Sequence, residues 1–141
     1  MKFYALFMLL ALSLSPMFSQ SPLGLWKTVD DTDGIAKSYI EIHEIDGQLF
    51  ATVRELLPAA DKTHCSACKG DKKDAPLIGM TLMRDMEKDG KKWSGGYILD
   101  PATGKEYKCI IQLDGDDKLK VRGYIGAPLL GRSQYWYRKS E

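Results

Sequence analysis

The chain is interrupted at short intervals by turn-forming pairs: Asp33-Gly34, Asp46-Gly47, Asp89-Gly90, the run Asp100-Pro101-Ala102-Thr103-Gly104, and Asp114-Gly115. Asp bonds its own backbone two residues on and Gly accepts a left-handed φ, so each pair favours reversal of the chain. Between the reversals lie short segments rich in Val, Ile, Tyr, Trp and Leu, which predict hairpin-linked strands near 24–30, 36–45, 48–57, 78–86, 91–99, 105–113, 117–125 and 132–139. Several alternate with period two. Tyr107, Cys109, Ile111 and Leu113 oppose Glu106, Lys108 and Gln112, and Leu119, Val121 and Gly123 oppose Lys118, Lys120 and Arg122. That alternation marks a sheet with one buried face. About eight antiparallel strands joined by tight turns have edges to hide, and closure hides them most completely. The expected fold is all-β: a single antiparallel up-and-down β-barrel, with a sandwich as the other arrangement the pattern allows.

The N-terminus reads differently. Lys2 precedes an apolar run from Phe3 to Leu14, followed by Ser15-Pro16-Met17-Phe18-Ser19-Gln20-Ser21. A positive start, a short apolar core and a small residue at the end predict a secretory signal peptide over 1–19, leaving 20–141 as one barrel domain. The apolar core is shorter than the roughly 20 residues of a spanning helix, and no later segment is long and apolar enough to be one. Residues 1–19 hold one of the 20 Lys and Arg and none of the 19 Asp and Glu, so the remainder is formally neutral. A neutral chain lacks the cationic face that a nucleic acid requires. The expected location is periplasmic or secreted, an oxidising space that bears on the cysteines.

The one long irregular stretch, Pro58 to Pro76, contains His64 and the pair Cys65-x-x-Cys68. Three chemistries fit. In an exported protein the first is a disulfide clipping the loop tip. A redox pair is the second, although no βαβ pattern surrounds it. Zinc on His64, Cys65 and Cys68 is the third, lacking a fourth ligand and requiring adjacent residues to face one ion. Cys109 shares its strand phase with Tyr107 and Ile111, which predicts a buried free thiol. With two histidines, one of them (His43) on the wetter side of its strand, no catalytic constellation emerges, and no cofactor or metal is expected.

Two resemblances add to this reading. Gly24-Leu25-Trp26 on the first strand with Trp136-Tyr137-Arg138 on the last resembles the lipocalin and wider calycin barrels. The resemblance implies Trp26 as a plug at one barrel end with Arg138 stacked across it, Arg132 being the second choice. The second match runs through six ordered blocks: Gly24-Leu25-Trp26, Cys65-Ser66-Ala67-Cys68, Pro76 to Met80, Trp93 to Tyr107, Val121 to Tyr124, and Leu130-Gly131-Arg132 followed by Trp136-Tyr137-Arg138. These are similar to the small exported bacterial family catalogued as domain of unknown function 2147. It implies a lipocalin-like barrel and an exported location, and lends no activity.

Function on such a chain falls to the interior, the rim or the long loop. Abundant aromatic and Met side chains suit a small hydrophobic or amphipathic ligand, with Trp26, Tyr97, Tyr107, Met80 and Leu82 as candidate contacts. Arg122, or else Arg54 or Arg84, is a candidate to orient an anionic end. The alternative is a protein-interaction module of the cell envelope that uses the Cys65–Cys68 loop or exposed aromatics. Less favoured is a redox or metal-linked factor.

Overall fold

The computed structural model describes residues 20–140. The expected signal peptide lies outside the described residues. Eight strands follow in order: β1 (Gly24–Val29), β2 (Ala36–Ile45), β3 (Gln48–Leu56), β4 (Thr81–Asp89), β5 (Lys92–Asp100), β6 (Lys105–Leu113), β7 (Lys118–Tyr124) and β8 (Arg132–Arg138). Each pairs antiparallel with the next, and β8 returns to β1, so the sheet is a closed up-and-down barrel.

The turn chemistry acts where the sequence places it. Asp46 and Gly47 both carry positive φ, 51° and 80°, the backbone of a two-residue type I′ turn, and they join β2 to β3. One boundary differs from expectation. β4 begins at Thr81 rather than near 78, because residues 77–80 are bonded into a turn: Met80 N–H donates to the Leu77 carbonyl and Gly79 N–H to the Val53 carbonyl. At its other end β4 continues to Asp89, so the charged run after Arg84 is strand as well as hairpin tip.

The adjacent glycines of β5 mark a barrel corner. Asp85 on β4 and Gly95 on β5 both have positive φ, 59° and 79°, and the β5–β6 register shifts between Trp93 and Gly96. In the β3–β4 ladder the register shifts between Leu49 and Ala51, the partners of Met86 and Met83, so these two methionines, three residues apart, both bury completely. Gly96 faces them. A Cβ there would collide with the Arg84 carbonyl oxygen and stand 2.6 Å from Met86 Sδ.

Large side chains fill one half of the interior. Trp26, Ile42, Leu49, Met86, Ile111 and Leu119 are essentially fully buried and lie toward the β2–β3, β4–β5 and β6–β7 turns. Each such burial stabilises by about 1.5–3 kcal/mol. A satellite cluster of Cys65, Cys68, Leu77, Met80 and Leu99 packs beneath the long β3–β4 connection at the other end. That connection is more ordered than a free loop. It holds a 3₁₀ turn at Gly70–Lys72 and an isolated antiparallel bridge between His64 and Pro76.

Candidate functional site

The barrel is closed at one end by a built plug. Trp26 Nε1 donates to the Pro22 carbonyl at 2.8 Å, and the Arg138 guanidinium lies 4.3 Å from the Trp26 ring centroid. Arg138 also donates from all three nitrogens to backbone carbonyls, those of Asp116, Leu23 and Ser21, at 2.8–2.9 Å. It therefore ties the segment before β1 to the β6–β7 turn across the barrel end. Arg132, at the opposite end of β8, takes no part in the plug and pairs with Asp31.

Above the filled half lies a cavity of about 420 Å³ that opens at the other end. Val53, Leu82, Ile98, Tyr107 and Val121 form its apolar wall, while Thr28, Ser38, Gln134 and Trp136 line the side made by β1, β2 and β8. On the β7 side the inward positions are small, Val121 and Gly123, which leaves room there. A sharp contrast separates the two tryptophans. Trp26 has its N–H paired, whereas Trp136 Nε1 is a buried polar side-chain atom with no hydrogen-bond partner among the described residues. An unpaired buried donor costs about 1–3 kcal/mol.

The rim is charged and internally paired. Asp30 is held below the usual carboxylate range by the Thr32 hydroxyl and then by the Thr32 backbone N–H. Lys37 bonds Asp33 at 2.9 Å, which raises its pKa, and Asp31 does the same for Arg132. The long connection supplies Ala60, Asp61, Lys62, His64 and Leu77 to the mouth. It is fixed there by the Cys65–Cys68 disulfide, whose sulfurs are buried. Cys65 Sγ lies 3.6 Å from the Pro101 carbonyl oxygen, and Gly104 lets the Ala67 carbonyl approach so closely that a Cβ would collide with it. The disulfide thus docks the connection on the β5–β6 turn.

The structure separates the six residues expected to touch a ligand. Leu82 and Tyr107 line the cavity. Trp26 sits in the plug beneath it. Met80 belongs to the cluster under the disulfide. Tyr97 is outside the barrel, one residue out of phase with Ile98, and its ring lies 4.4 Å from the Arg84 guanidinium. Arg122 is likewise on the outer face. Its guanidinium donates to the carbonyls of Pro128 and Leu129 and to Ser133 Oγ, bracing a 3₁₀ turn at Pro128–Leu130. Arg54 and Arg84 pair outside with Glu41 and Glu106. None of these three arginines lines the cavity.

Thr28, Ser38, Gln134 and Val53 line the cavity without being sequence-predicted contacts. Their signal was strand phase: Thr28 stands two residues from Trp26, and Gln134 two from Trp136, so each shares its neighbour's face. Cys109 is fully buried and free, and burial pushes its thiol pKa up to about 12. Among the described residues, no group of three or more His, Cys, Asp or Glu is arranged to hold a metal ion, and no helix is long and apolar enough to cross a membrane.

Comparison with solved structures finds a similar barrel. The protein HP1028 from the human pathogen Helicobacter pylori, described as belonging to the lipocalin family, superimposes with a TM-score of 0.76 at 17% identity, over 87% of this chain and 86% of that one. At that identity the likeness speaks to fold. No curated protein sequence matches. The family model described as "Uncharacterized protein conserved in bacteria" (DUF2147) matches residues 24–138, from the first residue of β1 to the last of β8. The chain belongs to the DUF2147 family, and its fold is the lipocalin-like eight-stranded barrel.

Proposed function

We propose that this protein binds a small hydrophobic or amphipathic molecule inside the barrel, without catalysis, in the periplasm or outside the cell. The observation that carries the reading is the unequal filling of the interior: one half packed and plugged, the other a cavity of about 420 Å³ open at the rim. Small-molecule sites are concave, largely apolar spaces of roughly 300–1,000 Å³ with a few placed polar groups, and this cavity has that size and composition. The Cys65–Cys68 connection forms part of its mouth, which gives the disulfide a role in shaping an entrance. A disulfide also suits an oxidising compartment, in keeping with the leader-like first nineteen residues.

The test is displacement of an environment-sensitive dye from the purified protein by a panel of fatty acids and heterocycles. Saturable dye binding, competed by some members of the panel, supports the reading. No dye uptake and no change with any compound refutes it.

A further inference from the structure

The cavity walls are chemically segregated, and the segregation runs along the strands rather than from mouth to floor. Three contiguous strands carry the hydrogen-bonding groups: β8 contributes Gln134, β1 Thr28 and β2 Ser38. Strands β3 to β7 face them with Val53, Leu82, Ile98 and Val121, interrupted by Tyr107. The polar groups lie at two depths. Thr28 pairs across to Trp136 and to Ser38 in the two neighbouring ladders, and Gln134 lies one inward position nearer the mouth. Thr28 Oγ1 and Ser38 Oγ bond each other at 2.6 Å and the Thr28 hydroxyl also reaches the Ser38 carbonyl oxygen at 3.4 Å, so both protons have protein acceptors and the pair offers its spare lone pairs. Gln134 brings both an amide N–H₂ and a carbonyl oxygen. Trp136 lines the same wall with its ring, while its N–H is itself buried and adds no donor to the cavity surface.

A fatty acid places its polar atoms at one end, where the charged rim would meet them. Its chain would then lie against Gln134 and the Thr28–Ser38 pair, stripping them of water with nothing in exchange. A molecule with polar groups along one side meets both walls. We infer that the ligand is a facial amphiphile, an elongated apolar skeleton with several hydroxyl or carbonyl groups on one side, bound with that side against β8, β1 and β2. The inference rests on the cavity being a binding site.

Calorimetric titration with two sterol acids tests it, both below their micelle-forming concentrations. Cholate has three hydroxyls on one face, whereas lithocholate has the same type of skeleton with one hydroxyl at its end; palmitate serves as the single-headed control. The wild-type protein is expected to bind cholate about tenfold more tightly than lithocholate, the scale of one well-made hydrogen bond. Gln134→Leu should erase the preference. The wild-type comparison needs no variant to fold. Equal binding of the two sterol acids, or a preference for palmitate that Gln134→Leu leaves unchanged, overturns the facial assignment while the cavity reading stands. Failure of all three probes to bind also overturns it, and the dye panel then decides separately whether the cavity binds anything.

Discussion

The Arg138 guanidinium stacks 4.3 Å from the centroid of Trp26 while its three nitrogens hold three backbone carbonyls, so one side chain both covers the plug and ties the segment before β1 to the β6–β7 turn. A cation over an indole is worth about 0.5–2 kcal/mol, and the three charged hydrogen bonds, which are solvent-exposed, add modestly to it. Arg138→Met is expected to lower stability by about 2–3 kcal/mol, and Arg138→Lys to recover less than half, because an ammonium cannot make the planar fork. Urea denaturation followed by tryptophan fluorescence measures this. Unchanged midpoints for both variants would mean that the plug holds without its cap.

Gly123 offers a way to separate stability from binding. It lies in β7 and lines the cavity, and a Cβ there would meet Tyr107 Cβ at 3.4 Å and Ile98 Cγ2 at 3.6 Å, ordinary packing distances. Gly inside a strand costs about 0.5–1 kcal/mol relative to a residue with a Cβ. Gly123→Val is therefore expected to raise the thermal midpoint while its methyl groups occupy cavity space and weaken dye binding. A variant that is more stable and binds as well as wild type would place the binding site elsewhere.

Gly96 is the opposite case. Its Cβ would strike the Arg84 carbonyl oxygen, a backbone atom that cannot rotate away. Gly96→Ala is expected to destabilise by about 3 kcal/mol or more, the upper range for overpacking. Gly115→Ala, at an open turn with nothing within 4 Å of a Cβ, pays only for its φ of 77° and should cost less. Equal midpoints for the two variants in denaturant titration would contradict a required close approach at the β4–β5 corner.

Cys109 makes stability depend on pH in a defined direction. Its ordinary thiol pKa of 9.0 is raised to about 12 by desolvation in the fold. The folded state therefore keeps a proton that the unfolded chain releases, and stability falls as pH rises. The contribution is complete below pH 9 and is lost progressively as pH climbs from 9 toward about 12. Relative to Cys109→Ala, the wild-type protein should lose stability with a limiting slope of about 1.4 kcal/mol per pH unit in that window. Parallel stability curves for the two proteins would show a thiol that ionises freely. The same burial predicts that iodoacetamide leaves native Cys109 unmodified at pH 8 and labels it in urea.

Much of the barrel was legible because its signals are local. Asp46-Gly47 specifies a hairpin by its own backbone preferences, and the alternation from Tyr107 to Leu113 gives the buried face of β6 without reference to any neighbour. The cavity was less legible because it arises from what faces what across the barrel. Tyr97 is a candidate contact by its aromatic ring, yet its strand passes through the corner at Gly95, and only the phase after that corner puts Ile98 inside and Tyr97 out. Charge alone makes Arg122 a candidate anion anchor, whereas its acceptors, the carbonyls of Pro128 and Leu129, lie in a turn that the linear sequence does not aim. Thr28, Ser38 and Gln134 are common residues that become a polar wall only when β8 closes on β1.

The central claim is an interior that holds a molecule, and native mass spectrometry of protein recovered under non-denaturing conditions tests it most directly. The expected spectrum carries a population heavier than the polypeptide by the mass of one small molecule, lost on acid denaturation and diminished in Gly123→Val. A spectrum at the polypeptide mass alone, from protein that also takes up no dye, would contradict the claim and leave a folded barrel whose open half binds nothing.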